Sequence, residues 1–172
     1  MTLTGTVQVL NWVVRPSNLC YPMPQAMSVY TRLERRSMGT VSSMLETHPG
    51  GFGGIDRAML IRCIETCIEC AQACTACADA DLSEQRVAHL TKCIRTNLDC
   101  ADICATTSRV LSRRTAYDAN VTRAVLEACA VTCRACGDEC DLHATHHEHC
   151  RVCADVCRRC EKACCDLLAS LG

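Results

Sequence analysis

Between residues 63 and 77 five cysteines, Cys63, Cys67, Cys70, Cys74 and Cys77, follow one another at intervals of 4, 3, 4 and 3 residues. That is the a/d spacing of a helix, and it places all five on a single stripe. The chain repeats the pattern near its other end, where Cys150, Cys153, Cys157, Cys160 and Cys164 are spaced 3, 4, 3 and 4. Cys129, Cys133, Cys136 and Cys140 make a third stripe; Cys93, Cys100 and Cys104 make a sparser fourth, with Asn97 between the first two. Seventeen of the 19 cysteines are thus at stripe positions, leaving Cys20 and Cys165 outside them. The opposite faces are charged, through Arg62, Glu65 and Glu69 in one segment and Arg151, Asp155, Arg158, Arg159 and Lys162 in another. The stripes therefore face inward. One buried cysteine is an ordinary small hydrophobe. Seventeen call for another reason, because Leu, Ile, Val or Ala would fill those positions without the oxidation hazard.

Three breaks, Asp79 to Ser83, Arg114 to Asp118 and Asp141 to Thr145, divide the chain after residue 55 into four helices, expected over 57–79, 84–113, 119–141 and 146–169. Asp56, Ser83, Asp118 and Thr145 stand where N-caps are needed, and Thr145-His146-His147-Glu148 reads as a capping box. Short connections force antiparallel neighbours, so the expected fold is all-α: an antiparallel up-down-up-down four-helix bundle with a cysteine-lined core. Residues 1–54 differ. They hold all four prolines, a single cysteine and the stretch His48-Pro49-Gly50-Gly51-Phe52-Gly53-Gly54, and read as a poorly ordered N-terminal appendage and Gly-rich linker before a four-helix bundle domain over 55–172. Met38 begins a plausible shorter product.

Compartment decides what so many cysteines do. The first twenty residues lack a basic start and an uninterrupted apolar stretch, and Arg35-Arg36 is followed by a mostly polar segment, so neither export route is expected. No apolar run approaches the ~20 residues of a membrane span. The expected location is the cytoplasm, with the thiols reduced. A formal net charge of -1 offers no field for nucleic acid or a membrane surface, and aromatic residues are only 3% of the chain.

A single zinc or iron-sulfur site needs about four thiolates at one point. Cys63 to Cys77 spread one helix's ligands over ~21 Å at ~1.5 Å per residue, so the bundle offers a tube of ligands. Copper(I) is satisfied by two or three sulfurs, and pairs at i,i+3 and i,i+4 run the length of the tube. Each copper(I) replaces one thiol proton and leaves the core neutral, whereas zinc on four thiolates leaves a charge of -2 in a bundle without buried Lys or Arg. Iron-sulfur or zinc-binding redox or buffer chemistry is the alternative. A thiol peroxide scavenger would need an exposed cysteine of low pKa, which core positions do not provide.

The stretches CIETCIECAQACTAC, HLTKCIRTNLDCADIC, CAVTCRACGDECDLHATHHEHC and CRVCADVCRRCEKACC resemble the copper storage protein family in its cytosolic branch, over residues 60–168. The resemblance implies a homotetramer of four-helix bundles, each binding many copper(I) ions to protect the cytosol or hold a reserve, with a copper chaperone as a candidate partner. It implies no enzyme, and no nucleophile motif is present. The resemblance says nothing of residues 1–54.

His143, His146, His147 and His149 cluster at one turn, and the topology brings His89 to the same end of the bundle, a candidate mouth for copper ligation and handover. Ile55, Met59, Leu60, Val110, Leu111, Val121, Val125, Leu126, Leu167 and Leu168 gather at the other end as an apolar plug. Asn97 reads as a polar spacer, Cys165 as a packing or subunit-contact residue and Cys20 as a spare thiol. Met23, Met27, Met38, Met44 and Met59 read as packing or initiation residues.

Overall fold

The Asp56 carboxylate accepts the Met59 N–H at 2.8 Å, and the Asp118 carboxylate accepts those of Asn120 and Val121 at 2.8 and 3.1 Å. These two caps start the helices α2 (Arg57–Leu82) and α4 (Ala119–His143) at the expected positions. A computed structural model describes residues 39–171 except Gly53. Expectations about export, Met23, Met27, Met38 as a start and Cys20 lie outside the described residues. The remaining elements are α1 (Thr40–Glu46), a 3-10 turn over Val87–His89, α3 (Thr91–Leu111) and α5 (Glu148–Ser170). There is no strand among the described residues.

The other two caps differ from expectation. Ser83 ends α2, because its hydroxyl donates back to the Asp79 carbonyl at 3.2 Å and is unavailable to a following helix. As a result α2 runs three residues longer than expected, and α3 begins at Thr91, after the 3-10 turn and without a side-chain cap. The Thr145 capping box does not form: α5 starts at Glu148, whose carboxylate takes the Arg151 guanidinium at 3.0–3.1 Å within the first turn. Glu148 still complements the helix dipole there.

Helix α2 packs on α3 and α5, and α4 packs on the same two, so the four form the sides of the expected bundle. Fifteen of the inward cysteines are wholly shielded and Cys77 and Cys153 are nearly so. Leu60, Ile64, Leu111, Leu126 and Leu167 close one end, and burial of each such side chain contributes about 1.5–3 kcal/mol. Ile55 joins them, but Val121 faces solvent at 52% exposure and Met59 is 38% exposed. Outside, Arg158 of α5 reaches Asp138 and Asp141 of α4 at 2.5 and 2.8 Å, across Gly137, where a Cβ would stand 3.1 Å from its guanidinium carbon.

Helix α1 has no counterpart among the expected helices, since seven residues carry too little periodicity to be read. It docks on α2 through buried Leu45. Arg57 pairs with Glu46, and Arg114, buried although the sequence leads to the expectation of a bundle without buried Lys or Arg, donates to the Phe52 carbonyl at 2.6 Å while stacking on Tyr117. Gly51 and Gly54, at φ of 62° and 81°, supply the left-handed turns that bring Phe52 and Ile55 against the bundle.

Candidate metal centre

Because α2 keeps its 4-3-4-3 register for its whole length, Cys63, Cys67, Cys70, Cys74 and Cys77 all project into the interior, where they meet cysteines of the other three helices. Cys63 lies 3.7 Å from Cys164, Cys67 lies 3.9 Å from Cys129 and 3.7 Å from Cys160, and Cys104 stands 3.6 and 3.4 Å from Cys129 and Cys133. In the middle, Cys70 lies 3.8 Å from Cys74, 3.9 Å from Cys100 and 3.7 Å from Cys157. Nearer the other end, Cys74 lies 3.9 Å from Cys136 and 3.7 Å from Cys153, and Cys93 lies 3.8 Å from Cys140. All the described cysteines are free thiols, and every one but Cys165 is buried. Cys165 points outward.

Facing helices bring sulfurs together in fours, which the spacing along one helix does not reveal. Cys67, Cys129, Cys160 and Cys164 form one set within 4.8 Å; Cys70, Cys104, Cys133 and Cys160 form another; Cys70, Cys74, Cys100 and Cys157, and then Cys74, Cys136, Cys153 and Cys157, continue the column. Four sulfurs alone would also suit zinc or an iron-sulfur cluster. The sets overlap, however: Cys70, Cys74, Cys157 and Cys160 each belong to two. Separate four-sulfur centres cannot all be filled when they share ligands, whereas metals bridged by shared sulfurs can.

Packing thiols this closely redistributes their protons. Hydrogen bonds from Cys164 and then Cys67 hold Cys63 down to about 5, while Cys67 is pushed above the ordinary thiol range by Cys129 and Cys160, with burial adding to the rise.

At its far end the column changes chemistry. Asp81 is fully buried and lies with Cys77, Cys150 and His149 in a set within 4.8 Å. Its carboxylate meets His149 Nε2 at 3.0 Å, accepts from the Cys150 thiol at 3.5 Å and from Asn97 Nδ2 at 3.4 Å. The Asn97 carbonyl oxygen accepts from Cys136 and Cys153 at 3.1 Å and from Cys140 at 3.5 Å. With its Nδ2 also donating to Cys93 Sγ at 3.5 Å, Asn97 is a buried junction among five polar neighbours rather than a spacer. Asp81 was missed although the signal was present: it stands four residues beyond Cys77, on the same stripe, in a turn that the expected helix ended too soon to include.

Four of the five mouth histidines share a cavity of 450 Å³, lined by Arg86, His89, Leu90, His143, His146 and His147. His147 Nδ1 is 3.0 Å from Glu84, and His143 Nε2, shielded from water and without a hydrogen bond, is 3.5 Å from Glu139. His149 stands apart from that cavity, against Asp81 and the thiols, with its ring 5.4 Å from that of His147. No helix of the described residues is long and apolar enough to cross a membrane.

Comparison with curated protein sequences gives no match. Among solved structures, the copper storage protein of Streptomyces lividans loaded with 10 copper equivalents is 66% identical over 76% of this chain and 99% of its own, with a TM-score of 0.75. The cytosolic copper storage protein of the same organism with five coppers is 70% identical over 70% of this chain and all of its own, at a TM-score of 0.68. A Cu(I)-bound copper storage protein, BsCsp3, is 38% identical over 62% of this chain and 94% of its own, at a TM-score of 0.56. Residues 56–169, the four long helices and the whole sulfur column with them, match the family described as copper storage protein, and the chain belongs to that family.

Proposed function

We propose that this protein stores copper(I) on the seventeen inward cysteines, sequestering ions that would otherwise be toxic and holding them as a reserve. The observation that carries the reading is the continuous column of buried, free thiols in overlapping sets of four. Soft thiolates select copper(I), and exchange of one thiol proton for one copper ion keeps a closed core neutral at any degree of filling. Zinc in the same overlapping sets would accumulate negative charge where no cation balances it.

The histidines serve the mouth. Neutral imidazole binds copper(I) more weakly than paired thiolates, which suits His89, His143, His146 and His147 to capture and release, and His149 to passing the ion to Cys77, Cys140 or Cys150. Location in the cytosol is supported by the cytosolic Streptomyces relative. A storage role without catalysis, assembly as a homotetramer and a copper chaperone as a partner complete the proposal, on the strength of the family.

Competition tests the choice of metal. Reduced protein is given one equivalent each of copper(I) and zinc per thiol under anaerobic conditions, desalted, and its metal content measured. Copper should be retained in large excess over zinc, in a solution colourless to visible light. Retention mainly of zinc, near one ion per four thiols, would contradict the proposal.

A further inference from the structure

The cavity at the mouth is larger than a copper ion requires. Its 450 Å³ falls within the range of about 300–1,000 Å³ typical of sites for small molecules. A protein donor, by contrast, is recognised over about 800 Å² of surface on each side. The charges around the cavity are also uneven. Glu84 is engaged with His147, and Glu139 with Lys92 beside His143. Arg86 lines the same cavity, and no hydrogen bond or ion pair of its side chain is found among the described residues. The cavity wall thus combines metal-binding imidazoles with one guanidinium that has no carboxylate of its own.

Copper(I) in a reducing solution travels on soft ligands, chiefly thiolates. Taking the storage reading as its basis, we infer that the cavity binds the copper(I) complex of a small thiol bearing carboxylate groups, with Arg86 holding a carboxylate while the histidines take the metal. The guanidinium fork is built for that pairing. Delivery is a ligand exchange without redox change. The carrier's sulfur–copper bond breaks as an imidazole nitrogen–copper bond forms. The ion then passes to a cysteine sulfur, whose thiol proton leaves with the released carrier thiolate, so that one thiolate and one proton are exchanged for each copper moved. Leu90, buried beneath the surface, contributes an apolar part of the wall beside the imidazoles.

The test compares two carriers, the copper(I) complexes of mercaptosuccinate and of uncharged 2-mercaptoethanol, by rapid mixing, desalting and metal analysis at low ionic strength. For Arg86→Gln, loading from the mercaptosuccinate complex should slow about tenfold and loading from the mercaptoethanol complex by less than about twofold, with Arg86→Lys in between. The preference should fade as salt is added. The final copper count should not change, because Arg86 is exposed and touches no thiol. Equal slowing with both carriers, no preference in the unaltered protein, or a preference that survives Arg86→Gln would each overturn the inference; absence of preference would point to a protein donor. If the unaltered protein takes no copper from either complex, the storage reading fails and the inference fails with it.

Discussion

Loading with copper(I) should raise the thermal unfolding temperature by at least about 20 °C while leaving the far-ultraviolet circular dichroism almost unchanged. A ligand that binds only the folded state contributes about 2.7 kcal/mol per site at a hundredfold excess over its dissociation constant. Five sites would contribute about 13 kcal/mol, and each kcal/mol is worth about 2–4 °C in a chain of this size. Binding to thiols of the unfolded chain reduces that figure without cancelling it, because only the fold holds the sulfurs in overlapping sets. The helical signal should exist beforehand, since reduced cysteines pack as small hydrophobes and the leucines of the plug are buried without metal. In this the protein departs from zinc fingers, which fold on their metal. A random-coil spectrum before copper addition, or an unfolding temperature indifferent to copper, would contradict this account.

Replacing His89, His143, His146, His147 and His149 together with non-ligating residues should slow both loading and removal by a chelator, by about tenfold or more, while final capacity stays within a few ions of the original. The asymmetry of the ends is the reason. At the plug, Leu60, Leu111, Leu126 and Leu167 are buried, and a cation passing between them would lose its hydration and gain no ligand. At the mouth, imidazoles lead to His149, Asp81, Cys77 and Cys150 in turn. Unchanged rates in both directions would reduce the histidines to a solvated turn. Loss of most of the capacity would mean that they hold stored metal themselves.

The bundle was legible because its signals are periodic and redundant. Five cysteines on each of two helices, with charges opposite, leave little freedom about which way those helices face. The overlap of the sulfur sets was not legible, because it depends on the relative heights of four helices, and spacing within one helix carries no information on its neighbours. Ser83 shows a local ambiguity: the same hydroxyl can cap the helix ahead or bond back to the helix behind, and here it bonds back to Asp79. That choice extends α2 by one turn and buries Asp81. The gathering of histidines at one end was readable from topology, but the place of Arg86 was not, since it becomes a wall of the cavity only when the 3-10 turn at Val87–His89 replaces the expected first turn of α3.

Anaerobic titration of the fully reduced protein with copper(I), with bound metal, remaining free thiol and released protons counted together, tests the central claim most directly. Seventeen cysteines line the interior. If each sulfur bridges two metals and each metal takes two sulfurs, capacity should level off on the order of 17–18 ions per chain, with close to one proton released per ion. A plateau near four ions would mean separate four-thiolate centres, and would contradict a continuous copper(I) store.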